Sequence, residues 1–455
     1  MRLVIDPLEV SAPLDELMSL FTGEEAQARW QGGVYKVVPV QSNLLGPCRV
    51  QKWSRVLLDS VYSRPGGHVL SVATGRIDDS DAMARLIEAG RRAAQAAPTT
   101  ETHLPLPWED DYQAPTSAGV FNDAATAECG PALMINEIAK LALPARRREW
   151  NVTGALEVSI GSHPAARDGL AALRNSNGMF RIFLNTLVRF SGSVATSETS
   201  ASFDVSGSSF GRLDVDSLWE KLRERLLLPV QSLSGTSSSN LILMPRAVSQ
   251  LLELLRTDFC GELALIDRRR LGARLGEEAL GSNITIVADP NNPALVQRPF
   301  DSIGAPAQRI TLIDAGVPMT VTHTRQRARE RREESYGYAD GGLVRAEVPR
   351  GLVMQGGEAT FEGAMESAGS GVVVESFEDI REVTRTQENF LVSAVCASDA
   401  YRFSGGRLSA GLTPMTLRFD LLSLMRSVTL LGSPTAIGGH VAPLILAGPL
   451  DVNAQ

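Results

Sequence analysis

Histidine is scarce in this chain: there are five in 455 residues, at positions 68, 103, 163, 323 and 440. None lies three or four residues from another, so a self-contained HExxH zinc helix is excluded. Cysteine is rarer still. Cys48, Cys129, Cys260 and Cys396 are widely spaced and no CxxC occurs, which argues against a disulfide framework or a zinc ribbon. Scattered thiols fit a reducing compartment, and the expectation is a cytoplasmic protein. Lysine is nearly absent, with Lys36, Lys52, Lys140 and Lys221 the only four among 44 basic residues. We read that bias as the base-composition habit of a GC-rich bacterial source, not as mechanism. No apolar run approaches the roughly 18 residues of a membrane span. The opening MRLVIDPLEV has no basic stretch leading into a long apolar one, so no secretory signal is expected. A Walker A loop and GxGxxG are also missing. The glycine pairs at 341–342, 356–357, 405–406 and 438–439 read as β turns, and GSSFG has the wrong spacing for a nucleophile elbow.

What is present is a globular composition. Apolar residues make up 44% of the chain, enough to bury a sizeable core. The net charge of −8 and pI near 5.4 give no general attraction to nucleic acid or anionic membrane. The length allows two or three domains at about 150 residues each. The pattern predicts an α+β protein with a mixed N-terminal region (1–119), an antiparallel-sheet central domain (120–228) and a mainly β C-terminal domain (229–455). Helical periodicity is predicted at 12–21, 78–97 and 214–229, with acidic residues early and arginines late in the second of these, as the helix dipole prefers. The Pro-, Thr- and acid-rich stretch 98–119 reads as a linker or surface loop. An Asn-Gly turn joins two strands over 169–183. The charged stretch 324–342 reads as a solvated, mobile loop.

The segment QLLELLRTDF (250–259) follows a buried strand and Pro245. It is predicted to be a helix whose Leu251, Leu252, Leu254, Leu255 and Phe259 face inward. Glu253 and Asp258 are five residues apart and point about 140° away from each other, so a shared metal or proton is not expected. His323 ends an alternating Val/Thr strand, and could be a ligand or substrate contact or simply a polar residue at a strand mouth. Cys260 and Cys396 read as small buried side chains with no basic partner to activate them.

Several segments in series resemble the TldD/PmbA family of two-subunit metallopeptidases. They include ALRNSNGMFRIFLNT, LDVDSLWEKL, DRRRLGARLGEEALGSNITIVADP, PFDSIGAPAQRITLIDAGVPMTVTHTRQRARE, GLVMQGGEATFEGAMESAGSGVVVESF and TQENFLVSAVCASDAYRFSGGRL. The TldD type carries HExxxH on the helix after the strand and proline. Counted from Pro245, Glu253 and Asp258 stand at its two histidines and Leu254 at its glutamate. A leucine accepts no proton, so the resemblance is to the PmbA (TldE) type, the subunit without its own zinc. It implies no catalytic or metal-ligating residue and no cofactor in this chain, zinc on a TldD-type partner in a heterodimer, and an unfolded or modified peptide as substrate, with peptide or natural-product maturation as a setting. Asp301, His323 and Arg325 fall in the matching segments as candidates for substrate contact. The chain departs from the family where the acid of DdEG becomes Ile303 and where tGdfs becomes TQENF. Two other readings stay open: a peptide- or small-molecule-binding scaffold without hydrolysis, and a homodimeric metal-free hydrolase using His323, Asp301 or Cys396.

Overall fold

The computed structural model describes residues 5–100, 104–112, 123–162, 170–233, 235–339, 347–397 and 399–454. His103, His163 and residues 113–119 of the expected linker therefore lie outside the described residues. The fold is α+β, with helices laid on sheets that are mostly antiparallel.

A nine-stranded sheet occupies the first half. Its axis is the 17-residue strand Glu25–Gln41, buried along most of its length. On one side it pairs with Arg49–Arg64. On the other it pairs with two strands in turn, Ala172–Asn175 against residues 27–30 and Asn151–Gly161 against residues 33–40. The handover falls at Gly32–Gly33. A Cβ on Gly33 would sit 2.0 Å from the Ile160 carbonyl oxygen, so only glycine permits that approach. The sheet crosses the expected boundary at residue 119, because strands from both sides of it pair directly.

Helices cover this sheet where their apolar spacing dictates. Pro7–Leu20 and Ser80–Ala96 bury Leu14, Leu17, Met83 and Leu86 against it. Pro131–Arg147 and Val215–Leu226 close a second cluster through Ile138, Leu141, Trp219 and Leu222. Asp79 and Asp214 cap the second and fourth of these helices by accepting backbone N–H bonds, which stabilises each start. A short turn of helix ends at Ala127 and Pro131 begins the next.

The second half holds a ten-stranded and a six-stranded sheet. Gly235–Leu243 lies inside the larger one, parallel to Ser370–Val374 and antiparallel to Ile445–Ala454. The largest core cluster fills the space between these sheets and includes the helix that leaves this strand. The stretch 324–342 is not a loop throughout: Arg325–Arg331 is helical, with Thr324 as its cap.

Candidate functional site

The helix after the central strand runs from Pro245 to Leu255. Proline suits its first turn, where the N–H has no intrahelical acceptor. Ala247, Val248, Leu251, Leu252 and Leu255 are fully buried, at the spacing of one helical face. Leu254 is only partly buried but packs on the same core. The α-helix stops at Leu255 and the chain tightens into a 3-10 turn, Arg256–Phe259. The predicted helix over 250–259 is thus two pieces. Asp258 belongs to the tighter turn, and it does not share a face with Glu253.

Each acid is held by its own partners. The Glu253 carboxylate accepts from Arg256 Nε at 2.7 Å and meets His440 Nε2 at 3.1 Å. The other His440 nitrogen, Nδ1, accepts the Leu352 N–H at 3.1 Å. That acceptor role places the proton of neutral His440 on Nε2, where it donates to Glu253. Burial pushes the Glu253 carboxyl up, but His440 and Arg256 more than offset it, leaving it below the usual range.

Asp258 is completely buried. It accepts from Arg385 Nη1 at 2.5 Å, Arg270 Nη1 at 3.3 Å and the Leu271 N–H at 3.2 Å. Arg385 lies over the Phe390 ring, 3.6 Å from its centre. Burial pushes the Asp258 carboxyl up, while Arg385 and Arg270 favour its charge. Such a pair sets local geometry and is costly to break.

These residues do not fit a zinc ion. Leu254 supplies no donor, Glu253 and Asp258 sit in separate networks, and the Asp258 oxygens are occupied by guanidiniums and a backbone N–H. Among the described residues, no group of three or more His, Cys, Asp or Glu side chains is placed to hold a metal.

The three candidates for substrate contact lie in three different settings. Asp301 is buried, and accepts the N–H groups of Ile303 and Ala305 on one oxygen (2.9 and 3.0 Å) and of Ala339 on the other (3.1 Å). It shapes its own loop. Burial pushes its carboxyl up to about 6. Ile303, the departure from the family pattern, fills an apolar cluster with Ala305, Ala339 and Tyr112. His323 is also buried, with Nε2 2.9 Å from Glu333 and Nδ1 without a hydrogen-bond partner among the described residues. Burial pulls its pKa down, which favours the neutral ring. Arg325 donates to the Pro105 carbonyl and lies 3.6 Å from Asp111, so it ties two parts of the chain together. Cys396 and Cys260 are buried, and burial pushes their thiols up to about 12 and about 11. They are mostly protonated at neutral pH, and thiols are poor nucleophiles in that form.

The His323 pocket leaves no slack. A Cβ on Gly261 would lie 2.2 Å from His323 Cε1 and 2.7 Å from the Thr322 oxygen. Gly261→Ala is expected to cost about 1–3 kcal/mol by overpacking and to drive the ring outward. Chemical denaturation and the His323 ring NMR signals measure this. An unshifted midpoint with an unchanged ring would contradict the packing described.

Glu347 escaped the sequence reading. It is fully buried, bonded by Ser335 at 3.1 Å, with Oε2 lacking a partner among the described residues. Burial, and next the charge of Asp301, push it well above the usual range. Nothing in VRAEVPR marks that glutamate as interior, because only the fold around Asp301 encloses it.

The family model described as the PmbA/TldA metallopeptidase C-terminal domain matches residues 236–454, the part that holds this helix and both its ion-pair networks. Residues 236–454 belong to the TldD/PmbA family. Members of the TldD/PmbA family are peptidases of a two-subunit type. Among solved structures, TldE from Thermococcus kodakarensis is similar over 97% of this chain and 100% of its own, with 16% identity and a TM-score of 0.79. A proposed modulator of DNA gyrase from Thermotoga maritima matches over 97% and 100%, with 16% identity and a TM-score of 0.74. Another from Bacteroides thetaiotaomicron covers 99% and 100%, at 15% identity and a TM-score of 0.75. At these identities the likeness is one of fold, and it covers the N-terminal half as well. No curated protein matches by sequence. Among the described residues, no helix is long and apolar enough to cross a membrane.

Proposed function

We propose that this chain is the metal-free subunit of a heterodimeric zinc peptidase, acting with a TldD-type subunit on unstructured or modified peptides. The observation that carries the reading is the state of the motif position. Leu254, which accepts no proton, stands at the position that the resemblance assigns to the motif glutamate, and Asp258 is neutralised internally by Arg385 and Arg270. A carboxylate so enclosed neither ligates a metal nor polarises a water. Zinc chemistry, in which a bound metal lowers the pKa of water and polarises the scissile carbonyl, then belongs to the partner. This chain would wall the chamber and help hold an extended peptide.

The test is expression alone and together with a TldD-type subunit, followed by zinc analysis and hydrolysis of an unstructured peptide. The pair is expected to co-purify with stoichiometric zinc and to cleave. The isolated chain is expected to do neither. Stoichiometric zinc and full activity in the isolated chain would overturn the assignment.

A further inference from the structure

Residues 104–112 cross from the first sheet to the C-terminal half. On one side Asn175 and Asn177 donate to the Pro107 and Leu106 carbonyls, each at 2.8 Å. Glu109 accepts the Phe180 N–H at 3.1 Å and pairs with buried Arg181. On the other side Arg325 holds Pro105 and Asp111, and Tyr112 packs on the Ile303, Ala305 and Ala339 cluster. The segment is a clasp over the seam between the two halves.

Close to Tyr112 lie two buried carboxyl groups. Asp301 and Glu347 are 1% and 0% exposed, and each feels the other's neighbourhood: Asp301 raises the Glu347 carboxyl, and both bear on Tyr112. The charges facing this pair can be named by element. Arg350 follows Glu347 along the chain and favours ionised Asp301. Glu262 on the helix Gly261–Ile266 opposes ionised Glu347. Arg325, on the helix Arg325–Arg331, and Asp111, on the clasp, act on Tyr112 with opposite signs. From the first sheet, Gln27 reaches the Ser302 carbonyl at 2.7 Å and also approaches Asp59, which is paired with Arg29. Glu347 Oε2 finds no acceptor or donor within this set.

We infer that the 104–112 clasp is a proton-controlled latch, closed while Asp301 and Glu347 are protonated and loosened in steps as each ionises. Among the described residues, a second buried negative charge has no cation of its own here. Moving Tyr112 off the seam lets water reach both groups, which is the cheapest way to solvate that charge.

The sign follows from linkage. Asp301 binds its proton more tightly in the closed state, at about 6 against an ordinary 3.8, so closure is favoured at low pH. That advantage is lost as pH rises from about 4 to about 6, and Glu347 extends the loss to higher pH. Full return of Asp301 to ordinary behaviour on opening corresponds to roughly a 100-fold change in the ratio of closed to open forms.

Hydrogen exchange of the 104–112 amides in the full chain, corrected for intrinsic pH dependence, tests this. Protection in the wild type is expected to fall tenfold or more between pH 5 and pH 8. Glu347→Gln is expected to confine the fall to the Asp301 range, so that protection stops changing above about pH 6 where the wild type continues to lose it. Arg325→Ala is expected to lower protection at every pH while leaving the midpoint in place. Wild-type protection that does not change with pH overturns the latch, and that measurement needs no variant to fold. An identical pH profile in Glu347→Gln overturns it as well.

Discussion

Asp258→Ala is expected to lower the stability of the chain by about 3–5 kcal/mol, the cost of leaving a buried guanidinium without its carboxylate. Arg385 is 3% exposed at its side chain and Asp258 0%, so water cannot take over the lost contact. The Leu271 N–H loses its acceptor too, which adds to the penalty. Asp258→Asn keeps the shape and loses the charge, and should fall between the wild type and the alanine variant. The informative control is Asp258→Leu with Arg385→Met. Replacing both charges by apolar groups removes the desolvation cost with the attraction, so the double variant should be less damaged than Asp258→Ala alone. Urea denaturation followed by circular dichroism measures all three. A loss below about 1 kcal/mol for Asp258→Ala, the range of exposed pairs, would show that the pair is not closed off from solvent as described.

The result bears on function as well as stability. A site that ligates metal tends to trade stability for an open coordination position. Asp258 does the reverse: removing it should weaken the fold without exposing any latent metal affinity.

A comparable loss, again about 3–5 kcal/mol, is expected for Asp59→Ala in the first sheet. Asp59 receives Arg29 through two bonds, at 2.7 and 3.1 Å, and both side chains are buried. Its removal takes both of these bonds from Arg29, on the strand that forms the axis of the sheet. It also frees Gln27, which approaches Asp59 at 3.4 Å and bonds the Ser302 carbonyl of the C-terminal half at 2.7 Å. The damage should therefore spread to the seam, and the unfolding curve should broaden or split as the halves separate. Tryptophan fluorescence follows the first half, since all five tryptophans lie before residue 220, whereas circular dichroism follows both. Coincident curves with a shift under about 1 kcal/mol, the range of exposed pairs, would refute the coupling.

Much of the architecture was legible beforehand, for identifiable reasons. Leu251, Leu252 and Leu255 repeat at helical spacing after an apolar strand, and such a helix has to be buried. The Asn177–Gly178 pair announced its turn, because Asn-Gly tolerates the required backbone. The TldD/PmbA resemblance rested on segments whose order the fold preserves. Other features could not be read. That the helix changes pitch at Leu255 depends on Phe259 and Asp258 being drawn into the core. The apparent linker before residue 112 carries acids that would suit a solvated loop equally well, and only the positions of Arg181 and Arg325 show that they are bound. The Arg325–Arg331 helix was hidden by its own charge density.

Asp301 and His323 became candidates for substrate contact through the segments that resemble the family, and residue identity there says nothing of burial. The structure buries both, Asp301 on three backbone donors and His323 against Gly261. By itself the sequence determined the α+β class and the helix that follows the central strand, since periodicity and residue identity are local properties. Only the tertiary structure decided which charges lie inside, because Arg385 meets Asp258 across 127 positions of chain and Glu347 meets Asp301 by enclosure alone. Burial and pairing are properties of the assembled chain, and no spacing of residues encodes them locally.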